Sequence, residues 1–181
     1  DVVVVTAGDG VITAGLAKGF ADLEAAGLVA HSPRLIVVQP EGTAAIATAL
    51  RNGAETITPV PGAASVADSL TVKAPRNATL CLRRVRSSGG TGVIVSDGDI
   101  LAAIPRLASR TGVFAEPAAA AALAGLDAAL EEELVDRRER VVVMITGSGL
   151  KDVAAAHSAL KMPEPIEPTI DAVQHEVNDR L

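Results

Sequence analysis

The chain has 181 residues, 49% of them apolar, enough to bury one sizeable core. Acidic residues outnumber basic ones for a net charge of −6, and Trp and Tyr are absent, with Phe only at Phe20 and Phe114. That balance excludes an electrostatic DNA or RNA binder and an aromatic base-stacking platform.

No apolar run reaches the roughly 20 residues of a membrane span. The lone Cys81 forms neither an internal disulfide nor part of a metal-ligand cluster, which fits a reducing, cytoplasmic setting. The start at Asp1, in mid-strand and without an initiator Met, suggests a fragment or processed product.

Strand and helix signals alternate along the chain. Val2–Thr6 is a β-branched run read as a buried strand, broken at Ala7-Gly8-Asp9-Gly10. A helix follows over Ile12–Ala26, with Ile12, Leu16, Phe20 and Leu23 on one face and Gly27 at its end. Arg34–Gln39 is a second apolar strand, and Pro40-Glu41-Gly42 turns into an alanine-rich helix over Thr43–Arg51. Residues 54–76 are irregular, with a short helical turn at Ser65–Ser69, and read as a functional loop because apolar residues persist through them. Asn77–Ser88 is helical, Thr91–Val95 is a strand, and Ser96-Asp97 caps a helix over Gly98–Arg110 that Pro105 should kink or break. Glu116-Pro117 opens an alanine-rich helix to Leu134. Arg140–Thr146 is the clearest strand of all, ending in Gly147-Ser148-Gly149, and a proline-rich tail leads to a last helix over Thr169–Arg180. This order predicts an α/β fold of three layers, a mostly parallel sheet with helices on both faces. The expected division is a large domain over 1–162 and a tail with a helix over 163–181.

Ligands of such sheets bind at the carboxyl ends of strands, so the two glycine-rich strand ends are the candidate sites. Gly8-Asp9-Gly10 precedes a helix N-terminus, where unpaired N–H groups and the helix dipole favour an anion such as phosphate. A plain strand–helix turn is the competing reading. The dinucleotide pattern GxGxxG fails at Thr13, and no GxxxxGK[ST] occurs. At the second strand end, the Thr146 hydroxyl could bond a heteroaromatic nitrogen, or simply cap a loop. Glu116 sits at a helix start, where the dipole stabilises a carboxylate in any case. His31, His157 and His175 accompany no nucleophile and read as surface residues. Cys81 reads as a buried core thiol, and Arg83, Arg84 and Arg86 as a solvated face or an interface.

Taken in order, a set of motifs resembles the threonine-synthase-like pyridoxal-phosphate enzymes of fold type II, the tryptophan synthase β-like group. They are Gly8-Asp9-Gly10-Val11-Ile12 with Lys18-Gly19-Phe20, Val38-Gln39-Pro40-Glu41-Gly42, Ser65-Val66-Ala67-Asp68-Ser69, Pro75-Arg76-Asn77, Ser88-Gly89-Gly90, and Val95-Ser96-Asp97. Gly112–Ala120 and Thr146–Asp152 complete them, so that the resemblance covers residues 2–152. It implies pyridoxal 5′-phosphate as cofactor, its phosphate held by backbone amides of Gly8, Asp9, Gly10, Val11 and Ile12. It implies that Thr146 faces the pyridine nitrogen and that Glu116 lines the cofactor side of the cleft. Asp9 stands where Asn is commoner, so its carboxylate should point away from the phosphate. Lys18, Lys73, Lys151 and Lys161 match no Schiff-base position; that lysine is expected upstream, leaving this chain without a catalytic residue and inactive alone. The implied parent is a lyase of amino-acid biosynthesis converting O-phosphohomoserine and water to threonine and phosphate. Alternatives are a threonine/serine dehydratase, a cysteine-synthase-type enzyme, or a non-catalytic Rossmann-like metabolite-binding module. The expected partner is a small amino-acid substrate, without nucleic acid or membrane, and with a homodimer open.

Overall fold

A computed structural model of the chain describes residues 1–160 and 165–180. Four strands form one parallel sheet in the order β3-β2-β1-β4, with β1 Val2–Thr6, β2 Arg34–Pro40, β3 Thr91–Val95 and β4 Val141–Val143. The two central strands carry almost unbroken apolar sequence because both of their faces are covered. On one face, α4 (Asp97–Thr111) and α5 (Pro117–Glu131) pack over Val2, Val4, Ile36, Val38, Val93 and Val95. On the other, α1 (Val11–Ala25), α2 (Ala45–Arg51) and α3 (Ala78–Ser87) enclose Val3, Leu35 and Val37. The expected three-layer α/β architecture is therefore present. Two short helices, α6 (Val153–Ser158) and α7 (Ile170–Arg180), follow the sheet.

The order of strands decides where a ligand can sit. From β1 the chain steps outward to β2 and β3, then returns past β1 to place β4 on its other side. The connections leaving β1 and β4 consequently run to opposite sides, and a crevice opens between their carboxyl ends.

Local chemistry sets the element ends. Gly27 adopts φ +70° just beyond α1, as a helix-ending glycine should. Ser96 accepts from Asp99 N while the Asp99 carboxylate reaches back, a capping box for α4. α4 then runs unbroken through Pro105. The expected break fails because the helix is held from both ends, by that box and by Gly112 at φ +75°. On α1, Leu16 and Phe20 do pack inward, whereas Ile12 and Leu23 are exposed.

Three other expectations change. The strand expected over Arg140–Thr146 is ladder-paired only at Val141–Val143, since it has a neighbour on one side alone and leaves β1 after Met144 N donates to Val4 O at 2.9 Å. The helical turn expected at Ser65–Ser69 forms at Asp68–Leu70. α6 was not expected; it starts where the Asp152 carboxylate accepts from Ala155 N. The domain boundary at 162/163, Lys161 and Pro163 lie outside the described residues.

One buried side chain joins the sheet to the loop after β1. Gln39, fully enclosed at the end of β2, donates from Nε2 to Ala7 O at 2.8 Å. Its Oε1 accepts from Ile46 N at 2.7 Å and Ala47 N at 2.9 Å, the uncapped start of α2. Replacing it with an isosteric apolar residue strands three buried backbone groups, each costing roughly 1–3 kcal/mol when unmet. Gln39→Leu is therefore expected to lower unfolding stability by on the order of 3 kcal/mol in urea titration; a loss below about 1 kcal/mol would show that water replaces the amide.

Candidate active site

The crevice at the carboxyl ends of β1 and β4 is a cleft of about 330 Å³. Every expected site residue lines it: Gly8, Asp9, Gly10, Val11 and Ile12 from one side, Thr146 and Glu116 from the other. Ser69 and Lys151 line it too; both belong to sequence motifs, but the sequence assigns neither a role at the site.

The loop at Gly8–Gly10 is shaped by three constraints. Gly10 has φ +85°, and a Cβ on it would meet Cys81 Cβ at 2.9 Å, so only glycine fits. Asp9 Oδ1 accepts from Arg76 N at 2.6 Å, and Asn77 Nδ2 donates to Gly10 O at 3.1 Å. The segment entering α3 thus fastens the loop from outside. The Asp9 carboxylate is thus engaged with the backbone at Arg76. Beyond Gly10, no side chain caps α1 and its first turn holds no acidic residue. The N–H groups of that turn are thus left with the helix dipole to attract an anion.

Opposite, residues 114–116 and 147–149 run as a short antiparallel pair. Gly149 N donates to Phe114 O at 2.9 Å, Glu116 N donates to Gly147 O at 3.2 Å, and Ala115 bridges Ser148. A Cβ on Gly147 would collide with the Glu116 carboxylate, so the absence of a side chain lets Glu116 lie flat against the strand end. Lys151 Nζ then meets Glu116 Oε2 at 2.9 Å and Oε1 at 3.0 Å. Thr146 lies three residues past β4, exposed in the cleft rather than inside a strand. A single 3₁₀ turn, Gly149–Lys151, carries Lys151 back over the cleft, which linear spacing does not reveal.

The loop over residues 54–76 is held by specific bonds. Asp97 accepts from Ser65 Oγ at 2.6 Å and from Val66 N at 3.1 Å, and Thr43 Oγ1 accepts from Val72 N at 3.3 Å. These ties bring Ser69 and Leu70 to the cleft wall.

The residues expected outside the site stay outside it. His31, His157 and His175 are exposed, and Arg83 is solvated. Arg86 instead donates to the carbonyls of Ala49 and Ala54, a tie between α3 and α2. Among the described residues no cluster of His, Cys, Asp and Glu could hold a metal ion. No described helix is long and apolar enough to cross a membrane.

A family of pyridoxal-phosphate dependent enzymes matches residues 1–147. The chain belongs to that family. Pyridoxal phosphate is the family's cofactor. Threonine synthase of Methanocaldococcus jannaschii is 37% identical over 167 residues, covering 92% of this chain and 41% of that protein. Threonine synthase of Methanosarcina acetivorans is 36% identical over 160 residues, covering 88% and 40%. The chain thus spans about two fifths of the length of these curated relatives. Among solved structures, the processed form of threonine deaminase isoform 2 from Solanum lycopersicum superposes with a TM-score of 0.69 at 22% identity, covering 87% of this chain and 43% of that one. A fungal L-serine ammonia-lyase from Rhizomucor miehei gives 0.67 at 22% identity, over 87% and 48%. At such identity they establish the fold, that of fold type II pyridoxal-phosphate enzymes. The cleft of this family member suits the cofactor: a glycine-flanked loop at an uncapped helix N-terminus faces a neutral hydroxyl across a gap of small-molecule size.

Cys81 supports the cradle from below, fully enclosed against Gly10. Burial pushes its thiol up to about 11 from an ordinary value near 9, while the neighbouring Thr13 hydroxyl pulls weakly the other way. A thiol held neutral in the fold stabilises it below the unfolded value, and that contribution is lost as the pH rises from about 9 to 11. Unfolding free energy should fall across that window by on the order of 2–3 kcal/mol more in the native protein than in Cys81→Ala. Parallel pH profiles for the two would show that Cys81 ionises freely.

Proposed function

We propose that this chain is the cofactor-phosphate-binding part of a threonine synthase, which converts O-phosphohomoserine and water to threonine and phosphate. The observation that carries the reading is 32–37% identity to threonine synthases across 83–92% of the chain. The deaminase and ammonia-lyase structures share the fold at lower identity, so sequence favours the synthase over those relatives.

In this reading the backbone N–H groups of Gly8, Asp9, Gly10, Val11 and Ile12 bind the cofactor phosphate at the positive end of α1. Gln39 and Asn77 fix the loop carbonyls of Ala7 and Gly10, so the N–H groups are aimed before the ligand arrives. Thr146 hydrogen-bonds the pyridine nitrogen, and a neutral hydroxyl cannot keep that nitrogen protonated as a carboxylate would. Glu116 lines the ring side of the cleft. When bound, pyridoxal phosphate supplies the electron sink for elimination and replacement at the amino-acid substrate. The exposed Val11 and Ile12 bound the cleft mouth and exclude water once covered.

The lysine that links the cofactor covalently lies in the rest of the parent protein. Lys18 pairs with Asp22 along α1, Lys151 pairs with Glu116, and Lys73 is not among the cleft-lining residues. A cytoplasmic enzyme accords with the single buried thiol.

The full-length protein tests this directly. Loaded with pyridoxal phosphate, it should show the visible absorption band of the bound cofactor and release phosphate and threonine from O-phosphohomoserine in equal amounts. A 2-oxo acid formed from threonine instead would make it a dehydratase, and no visible band would make it a binding module.

A further inference from the structure

Lys151 is the one cation lining the cleft among the described residues, and its partner Glu116 is nearly enclosed, with its side chain 12% exposed. The Lys151 side chain is itself 61% exposed, so the pair does little for folding. Its position matters more than its strength. The cleft offers N–H donors to an anion at one end, yet a carboxylate projects into its other wall. An uncompensated Glu116 would repel the same phosphorylated ligand that the α1 terminus attracts. Both Glu116 oxygens are within 3.0 Å of Lys151 Nζ, so the ammonium cancels that charge where it is held. The other titratable group lining the cleft, Asp9, already accepts from Arg76 N on the opposite side.

We propose that Lys151 is a positioning residue for cofactor binding: it neutralises Glu116 and holds its carboxylate against Gly147, so that the cleft accepts an anionic ligand at neutral pH. This rests on the cofactor site described above, but not on which reaction the parent protein performs. Lys151 need not touch the cofactor. Its effect passes through Glu116, and that dependence separates it from a residue that binds the phosphate itself.

The experiment measures pyridoxal phosphate affinity of the full-length apoprotein by equilibrium dialysis for the native protein, Lys151→Met, Glu116→Gln and the double variant. Lys151→Met should bind about tenfold more weakly at neutral pH, where the unpaired Glu116 carboxylate faces the anion. Adding Glu116→Gln to Lys151→Met should restore most of the lost affinity, because it removes the charge that Lys151 neutralises. All the ligand-free proteins should remain folded at the assay temperature, with Lys151→Met the least stable because it leaves the nearly enclosed Glu116 carboxylate unpaired. The proposal is overturned if Lys151→Met binds normally, or if the double variant stays weak, since Lys151 would then be idle or would contact the ligand directly. Absence of threonine formation by the native protein would sink the functional reading and leave these affinities informative.

Discussion

The site depends on one buried amide. Gln39 is the one polar side chain fully buried in β2, and its three bonds reach two different elements. It fixes the Ala7 carbonyl at the point where β1 ends, and it satisfies two N–H groups at the start of α2, which has no side-chain cap of its own. A loop that must aim backbone donors at a ligand cannot also be soft, because ordering it on binding would cost about 1–2 kcal/mol per residue. Gln39 from within, and Arg76 and Asn77 from outside, do that ordering during folding.

Topology supplies the second half of the site. With strand order β3-β2-β1-β4, the ends of β1 and β4 lie side by side although some 130 residues separate Gly8–Ile12 from Thr146 in sequence. The pairing of 114–116 with 147–149 then delivers Glu116 to the same place. On the proposed reading, a flat phosphorylated ring would be addressed from two sides by groups of different character: helix N–H donors for the charge, and a hydroxyl and an ion pair near the ring.

Much of this was legible in the sequence, for identifiable reasons. The β-branched runs at Val2–Thr6 and Arg34–Pro40 have no competing helical period, and Gly10 marks a turn that only glycine can make. The order of motifs carried the cleft residues, since each is local in sequence even where the site is not. What escaped was long-range. β4 looked longer because its apolar pattern continues past Val143, while pairing depends on a neighbour that pattern cannot report. The loop over 54–76 read as irregular because its order comes from Asp97 and Thr43, side chains distant in sequence. Lys151 belongs to the last sequence motif without a role of its own there, and only the 3₁₀ geometry after Gly149 turns it toward Glu116.

If the first turn of α1, preset by Gln39 and Asn77, grips the cofactor through its phosphate, that segment should respond to the phosphate group itself. Hydrogen exchange of the full-length protein, followed at residues 8–14 with pyridoxal phosphate and with pyridoxal lacking the phosphate, tests it most directly. Amide exchange in that segment should slow markedly with the phosphorylated compound and little with pyridoxal. Equal slowing by both compounds, or protection centred on another part of the chain with residues 8–14 unchanged, would contradict it.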